Sequence, residues 1–189
     1  MPRSVSGFNP RYSLQFGVTK TVKKFFAMLV LSLVCGCSTL PTMTKESLTD
    51  KQVHSMLYDN GVTSPVRIVG DESYAIPTVE WIVGPFSEEL FKVNRKNGLY
   101  KLESNDCEDF AARARALANE LNNRTTNCGL RGIAFGEFHY KKDTGGRHAI
   151  NFAICKDGDK YRFVFYEPQD RKIVELSETE YKSCFAIII

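Results

Sequence analysis

The spacing of hydrophobic positions changes from helical to alternating near residue 132. The strongest helical segment is 106–121, where apolar side chains recur three and four residues apart and share one face. Asn105, with Glu108 three residues on, supplies the N-cap pattern of this helix. Two further helices are predicted over 49–58 and 87–97, and the Pro- and Gly-punctuated stretch 74–86 is too interrupted for one regular element.

The alternating part of the chain predicts strands over 133–140, 148–155 and 161–167, and Asp157-Gly158 is typical of a hairpin turn between the last two. The apolar segment 185–189 predicts a final strand inside the sheet, because a free apolar edge invites aggregation. Helices followed by a mostly antiparallel sheet indicate an α+β fold.

The first 36 residues are predicted to be a leader and not part of the folded domain. Lys23-Lys24 precede an apolar run, 25–34, that is about half of the roughly 20 residues a membrane-spanning helix needs. Val22-Lys23-Lys24-Phe25 would read Met-Lys-Lys-Phe from a GTG start codon, so we expect translation to begin at Val22.

The tetrad Val34-Cys35-Gly36-Cys37 resembles the lipobox of bacterial lipoproteins, with Cys35 where alanine or serine is commoner. The resemblance implies that Cys37 is lipidated, carries acyl chains and becomes the mature N-terminus, which would anchor the protein stably in a membrane. Ser38, in place of an aspartate, implies sorting to the periplasmic face of the outer membrane. The alternative is an ordinary secretory signal cleaved elsewhere. Residues 37–45 then form the lipidated end and a tether, and 46–189 a single domain.

Charge excludes nucleic acid as a predicted partner. Residues 1–36 hold five of the 25 lysines and arginines and no acid, which leaves 20 bases against 22 acids in the rest of the chain. No Lys/Arg stripe provides an electrostatic footprint for a phosphate backbone.

The cysteines predict neither a disulfide scaffold nor a metal site. Cys107, Cys128, Cys155 and Cys184 are too scattered for a stapled fold, and their pairing stays open. No C-x-x-C pair occurs, and a zinc site built from Cys107, His148 and Cys155 is disfavoured because short-spaced ligands are missing.

Three residues combine into a candidate catalytic site. Cys107 falls in the first turn of the predicted helix, where free N–H groups and the helix dipole would lower the pKa of a nucleophilic thiol. His148 starts one strand of the predicted hairpin and Glu167 ends the other, so a carboxylate could orient an imidazole there. Asn151 and Asp170 are the alternative orienting groups. Each residue also has a purely structural interpretation. For Cys107 in particular, the alternative is a small hydrophobic side chain in the core.

Three segments carry a family resemblance: Asn105-Asp106-Cys107-Glu108-Asp109-Phe110-Ala111, Gly146-Arg147-His148-Ala149-Ile150-Asn151 and Tyr166-Glu167-Pro168-Gln169. Over residues 74–189 the chain resembles papain-like and transglutaminase-like cysteine peptidases, in particular the protease domain of fungal chimeric agglutinins. The resemblance implies a papain-like or transglutaminase-like core, with Cys107 as nucleophile, His148 as base and Glu167 as orienting acid. The family's calcium dependence does not carry over, since its ligands have no match here, and no cofactor is expected.

Two functions follow as hypotheses from these observations. The first is a lipid-anchored periplasmic cysteine hydrolase that cleaves peptide or amide bonds by a Cys-His-Glu mechanism. The second is a non-catalytic envelope lipoprotein that binds a cell-envelope partner through a degenerate peptidase fold. One form of this second hypothesis has a prophage encode the protein. The reactivity of the Cys107 thiol would discriminate between them.

Overall fold

The computed structural model describes residues 43–62, 64, 66–98, 101, 105–124 and 131–189. The leader, the lipidation site at Cys37 and Cys128 lie outside the described residues. Within the described part of the chain, no helix is both long and apolar enough to cross a membrane.

Six helical segments and nine strands make up the regular structure of the described residues. The helices are α1 (Asp50–Asp59), α2 (Val79–Trp81), a π-helical turn (Ile82–Phe86), α3 (Ser87–Asn97), α4 (Cys107–Arg124) and α5 (Glu178–Lys182). The strands are β1 (Ser47–Thr49), β2 (Val66–Ile68), β3 (Ser73–Ala75), β4 (Gly132–Ile133), β5 (Phe135–Lys141), β6 (Arg147–Asp157), β7 (Lys160–Glu167), β8 (Lys172–Val174) and β9 (Ala186–Ile188).

The strands form two sheets, a small one in the order β1-β3-β4 and a larger one in the order β2-β9-β5-β6-β7-β8. Neighbours in the larger sheet are antiparallel except for β2 and β9, which run parallel. The α+β class is therefore confirmed, with β1 to β3 preceding the main helix. Strand β9 is internal, as its apolar sequence predicts, and β6 and β7 form the predicted hairpin.

Both faces of the larger sheet are covered, which explains why its central strands read as nearly continuous apolar runs. One core cluster includes Trp81, Phe86 and Phe135, and it packs against α4 through Ala114 and Leu117. A second cluster on the opposite face includes Leu57, Phe138, Phe152 and Ile187. Successive residues of β5 and β6 point to opposite faces, so each strand serves both clusters.

Gly136 permits the close packing at the centre of this sheet. A Cβ at this position would lie 2.4 Å from the Ile188 carbonyl oxygen and 2.7 Å from the Phe152 ring. Both neighbours are fixed in the sheet, so only glycine fits without a shift of the backbone.

Candidate functional site

Helix α4 starts at Cys107, and its cap differs from the one that the sequence predicts. The Asp106 carboxylate accepts a hydrogen bond from the Glu108 N–H at 3.2 Å, while the Asp106 N–H donates to the Asp109 carboxylate at 3.1 Å. The Asp109 N–H donates back to the Asp106 carboxylate at 3.5 Å. This reciprocal pair of Asp106 and Asp109 identifies Asp106 as the N-cap and places Cys107 at the first helical position. The prediction that Asn105 caps this helix is therefore wrong.

Asn105 instead connects the helix start to its surroundings. Its side-chain amide donates to the Gly98 carbonyl at 3.2 Å, and its oxygen accepts from the Arg113 guanidinium at 2.8 Å. Asn105 is 5 % exposed, so these bonds fix the segment that leads into α4.

His148 and Glu167 meet at one end of the β6–β7 hairpin. The register of the two strands places them near the same edge, and His148 Nε2 lies 2.8 Å from Glu167 Oε2. The other Glu167 oxygen accepts the Gln169 N–H at 3.1 Å. Both side chains are largely buried, at 11 % and 13 % exposed, so the contact is shielded from water. Because Nε2 is engaged, Nδ1 is the imidazole nitrogen left for another group.

Cys107 lies beside this pair. A pocket of about 300 Å³, here called the thiol pocket, is lined by Cys107, Lys142, Arg147, His148 and Gln169. The three residues that the sequence predicts as a site are therefore brought together: two line this pocket, and the third holds the imidazole.

The electrostatics of Cys107 differ from the sequence-based expectation. Burial raises the pKa of the Cys107 thiol, and the nearby charges of Asp106 and Glu108 raise it further. A hydrogen bond from the Ala149 backbone N–H acts in the opposite direction but does not outweigh them. The expected lowering of the thiol pKa at the helix start is thus replaced by a net increase.

Two buried polar contacts hold α4 against the sheet. The Asn151 side-chain amide donates to the Ala111 carbonyl of α4 at 2.9 Å and to the Gly136 carbonyl of β5 at 3.0 Å. One turn further along the helix, Arg115 Nε donates to Glu137 Oε1 at 2.7 Å. These contacts fix the helix that carries Cys107 relative to the strands that carry His148 and Glu167.

The two alternative orienting residues have other partners. Asn151 is fully buried and its amide is directed to helix α4. Asp170 pairs with Lys172 at 2.7 Å on the surface. Neither contacts His148 in the structure, and Glu167 fills the orienting position.

A second, larger opening adjoins the thiol pocket and was not predicted from the sequence. This aromatic cleft, of about 480 Å³, is lined by Phe91, Asn94, Arg95, Gly98, Phe110, Gln169 and Arg171. Gln169 lines both the aromatic cleft and the thiol pocket. The lining residues come from α3, α4 and the turn after β7. In the sequence, only the helical spacing of the residues on α3 indicated that they share one face.

The remaining cysteines and the candidate metal ligands contribute no further site. Cys155 is buried, and burial raises its pKa to about 12, as it does for Cys184. Among the described residues, Cys107, Cys155 and Cys184 form no disulfide. In the same part of the chain, no group of three His, Cys, Asp or Glu side chains is arranged to hold a metal ion.

Comparisons with known proteins find similarity at the level of structure. No protein-family model and no curated protein matches the sequence. A solved structure described as a "PSL1a-E64 complex" aligns with a TM-score of 0.60 at 19 % identity, covering 76 % of this chain and 50 % of that chain. A structure of Polyporus squamosus lectin bound to the human-type influenza-binding epitope Neu5Aca2-6Galb1-4GlcNAc aligns with a TM-score of 0.57, also at 19 % identity, covering 76 % of this chain and 49 % of that chain.

These comparisons correct the family assignment made from the sequence. The similar structures are those of a lectin, which contradicts the assignment to cysteine peptidases and with it the hydrolase function. The alternative, a prophage-encoded envelope protein with a degenerate peptidase fold, is likewise unsupported. A papain-like or transglutaminase-like core is not shown, and the α+β class is what remains. The chain spans about half the length of the lectin chains that it resembles.

Proposed function

We propose that this domain binds a carbohydrate in the aromatic cleft. The observation that carries the proposal is the composition of the cleft wall, where Phe91 is 42 % exposed beside the side-chain amides of Asn94 and Gln169. A sugar ring presents apolar C–H faces together with hydroxyl groups that both donate and accept hydrogen bonds. An exposed aromatic ring and the Gln169 amide match both kinds of surface, while the Asn94 amide is held in the cleft wall by the Pro168 carbonyl and the Arg113 guanidinium.

The size of the cleft and the fold support the same proposal. A volume of about 480 Å³ lies within the range of small-ligand sites, which is roughly 300–1,000 Å³. The Gln169 side-chain amide makes no hydrogen bond to another described residue and is free to meet a ligand. The likeness to a lectin described in complex with a glycan epitope adds support at the level of the fold.

The test compares glycan binding by the full chain with binding by two aromatic variants. Phe91→Ala removes a ring of the cleft, whereas Tyr58→Ala removes a ring on α1 that is 69 % exposed and does not line it. We expect Phe91→Ala to weaken binding about tenfold, since a ring contact contributes on the order of 1 kcal/mol, and Tyr58→Ala to have no effect. Isothermal titration with the glycans retained on an array provides the measurement. Absence of any retained glycan, or equal affinities in the two variants, would contradict the proposal.

A second proposal concerns the reactivity of the thiol pocket and not a hydrolytic activity. We propose that Cys107 acts as a nucleophilic thiol whose proton passes to His148, with Glu167 holding the imidazole. The observation that favours it is the 2.8 Å contact of His148 with Glu167 at the edge of a pocket that Cys107 lines. On reaction with iodoacetamide, the sulfur–carbon bond forms as the carbon–iodine bond breaks, iodide leaves and the thiol proton is taken by the base.

Site-resolved alkylation tests this second proposal. Peptide mass spectrometry at pH 7 should show Cys107 modified at least about tenfold more slowly in His148→Gln than in the wild type. His54→Gln, on the exposed side of α1, is the matched control and should leave the rate unchanged. Equal rates in the two variants would remove His148 from the reaction.

The location of the protein also remains a proposal. We propose that lipid at Cys37 anchors the domain to the periplasmic face of a bacterial outer membrane, as the lipobox-like tetrad 34–37 suggests. Incorporation of radiolabelled palmitate should depend on Cys37, whereas Cys35→Ala should preserve it. Equal labelling of wild type and Cys37→Ala would refute the anchor.

A further inference from the structure

The aromatic cleft and the thiol pocket adjoin at Gln169, which lines both, and the two openings together are called the groove here. Arg95 and Arg171 lie at the aromatic end of this groove, while Lys142 and Arg147 lie at the thiol end. Among the residues that the structure describes, no carboxylate lines either opening. The four cations define what we call the basic groove.

These cations are not neutralised by the described part of the protein. None of the four forms an ion pair with a described residue, whereas Lys172, in the strand next to Arg171, pairs with Asp170 at 2.7 Å. Glu167, at the same end of the β6–β7 hairpin as His148, is already engaged by His148 and by the Gln169 N–H. The charge of the groove is therefore available to a ligand.

Two of the three acids at the start of α4 are engaged as well, and the third, Glu108, is exposed. Asp106 and Asp109 bind backbone N–H groups in the helix cap, so they are directed to the helix start and not into the groove. Neither carboxylate forms an ion pair with an arginine or lysine of the described chain.

Aromatic rings hold three of the cations in place. The Arg171 guanidinium lies 4.3 Å from the centroid of the Phe91 ring, and the Arg95 guanidinium lies 5.6 Å from the same centroid. At the other end, the Arg147 guanidinium lies 5.3 Å from the centroid of the Phe185 ring. A guanidinium placed over a ring keeps its N–H edge free, and that edge matches a carboxylate with two parallel hydrogen bonds.

We infer that the basic groove selects an acidic carbohydrate, a saccharide chain that carries carboxylates, such as an oligomer of a uronic acid. Its carboxylates meet Arg95 and Arg171, and the chain extends past Gln169 towards Cys107. This inference rests on the proposed carbohydrate binding and adds the charge of the ligand to it. A sugar is favoured over an acidic peptide because the cleft presents a ring and free side-chain amide beside the arginines.

The experiment measures the affinity of the full chain for a galacturonic acid hexamer and for the same hexamer after reduction of its carboxyl groups. We expect the acidic hexamer to bind at least about tenfold more tightly, with an advantage that shrinks as salt is raised. Arg171→Gln should reduce that advantage about tenfold. Lys172→Gln is the matched control and should change neither affinity.

A second readout locates the bound chain in the groove. Saturation with the acidic hexamer should slow iodoacetamide modification of Cys107 at least about fivefold, and the neutral hexamer at the same concentration should not. A hexaaspartate peptide that binds as tightly as the acidic hexamer would overturn the inference, because charge alone would then explain binding.

The outcomes separate this inference from the proposed function. Equal binding of the acidic and neutral hexamers, both weakened by Phe91→Ala, would refute the inference and leave carbohydrate binding intact. Failure of every saccharide to bind would refute both. Tight acidic binding that is unaffected by Arg171→Gln and Arg95→Gln would move the anion site out of the basic groove and overturn the inference.

Discussion

The buried ion pair between Arg115 and Glu137 should be the strongest single polar contact that holds α4 on the sheet. Arg115 Nε lies 2.7 Å from a carboxylate whose side chain is 5 % exposed, and His139 Nε2 lies 3.1 Å from the other oxygen. Arg115→Met keeps the length of the side chain and removes its charge. Glu137 is then left buried with His139 as its one remaining partner among the described residues.

The cost of Arg115→Met can be worked from this geometry. At 2.7 Å and an effective dielectric constant of about 20, the direct attraction is about 6 kcal/mol, most of which offsets desolvation in the intact pair. Breaking a fully buried pair costs about 3–5 kcal/mol. Because the Arg115 side chain is 33 % exposed and water can reach the vacated site, we expect about 3 kcal/mol.

Urea unfolding followed by circular dichroism at pH 7 provides the measurement. Arg124→Met is the control on the same helix, since the Arg124–Glu120 pair is 69 % and 56 % exposed and should contribute less than about 0.5 kcal/mol. The double variant Arg115→Met/Glu137→Met should recover most of the lost stability, because no unpaired charge remains. If Arg115→Met costs no more than Arg124→Met, the reasoning from burial is refuted.

The pair of Arg115 and Glu137 also predicts how the free energy of unfolding changes at acidic pH. Burial alone raises the pKa of Glu137, but hydrogen bonds from His139 and Arg115 outweigh it, so the pKa of this carboxyl lies below its usual range. A carboxyl with a lowered folded-state pKa contributes stability above its unfolded pKa, and this stability is lost as the pH falls through the folded value. In Arg115→Met this part of the acid dependence should be smaller.

Three further predictions concern the thiol pocket and the sheet. The pH midpoint of Cys107 alkylation should lie above that of an ordinary exposed cysteine thiol, because burial and nearby charge raise the thiol pKa. Glu108→Gln should lower the midpoint, and an unshifted variant would argue against the electrostatic contribution. Glu167→Gln should keep the fold, seen by an unchanged urea midpoint. It should slow Cys107 alkylation at pH 7 only about threefold, since the amide oxygen still accepts the imidazole N–H. A rate equal to that of the wild type would mean that the carboxylate has no part in the reactivity of Cys107. Gly136→Ala should destabilise the fold by about 3 kcal/mol or more in thermal unfolding, because its Cβ would meet the Ile188 carbonyl oxygen at 2.4 Å. A stability like that of the wild type would show that the sheet can adjust.

Short-range signals in the sequence predicted the local structure well. Thr49 and Gln52 form the capping box at the start of α1, and the Asp157-Gly158 turn joins β6 to β7. The predicted N-cap of α4, Asn105, lies one residue before the observed one, because Asp106 with Asp109 makes an equally good reciprocal pattern. The π-helical turn at 82–86 contains Pro85, and a proline inside a helix is normally taken as a break.

In the candidate site, too, the features that depend on local sequence could be predicted, and those that depend on long-range packing could not. The contact of His148 with Glu167 could be predicted because one tight hairpin fixes the register of both residues. The aromatic cleft could not, because Phe91, Phe110 and Arg171 come from three separate segments whose packing depends on the whole fold. The sequence indicated Asn151 as an alternative orienting residue for His148, whereas its actual partner on α4 depends on how the helix docks.

Arg171 connects local backbone strain with the ligand groove. It is the non-glycine residue with a left-handed backbone in the described chain, at φ 57°, a conformation that costs about 1 kcal/mol in an L-residue. A glycine at this position would relieve the strain and also remove the guanidinium that lies over Phe91. Directed evolution for heat resistance and directed evolution for ligand affinity would therefore push position 171 in opposite directions, so Arg171→Gly should be enriched in the first library and depleted in the second.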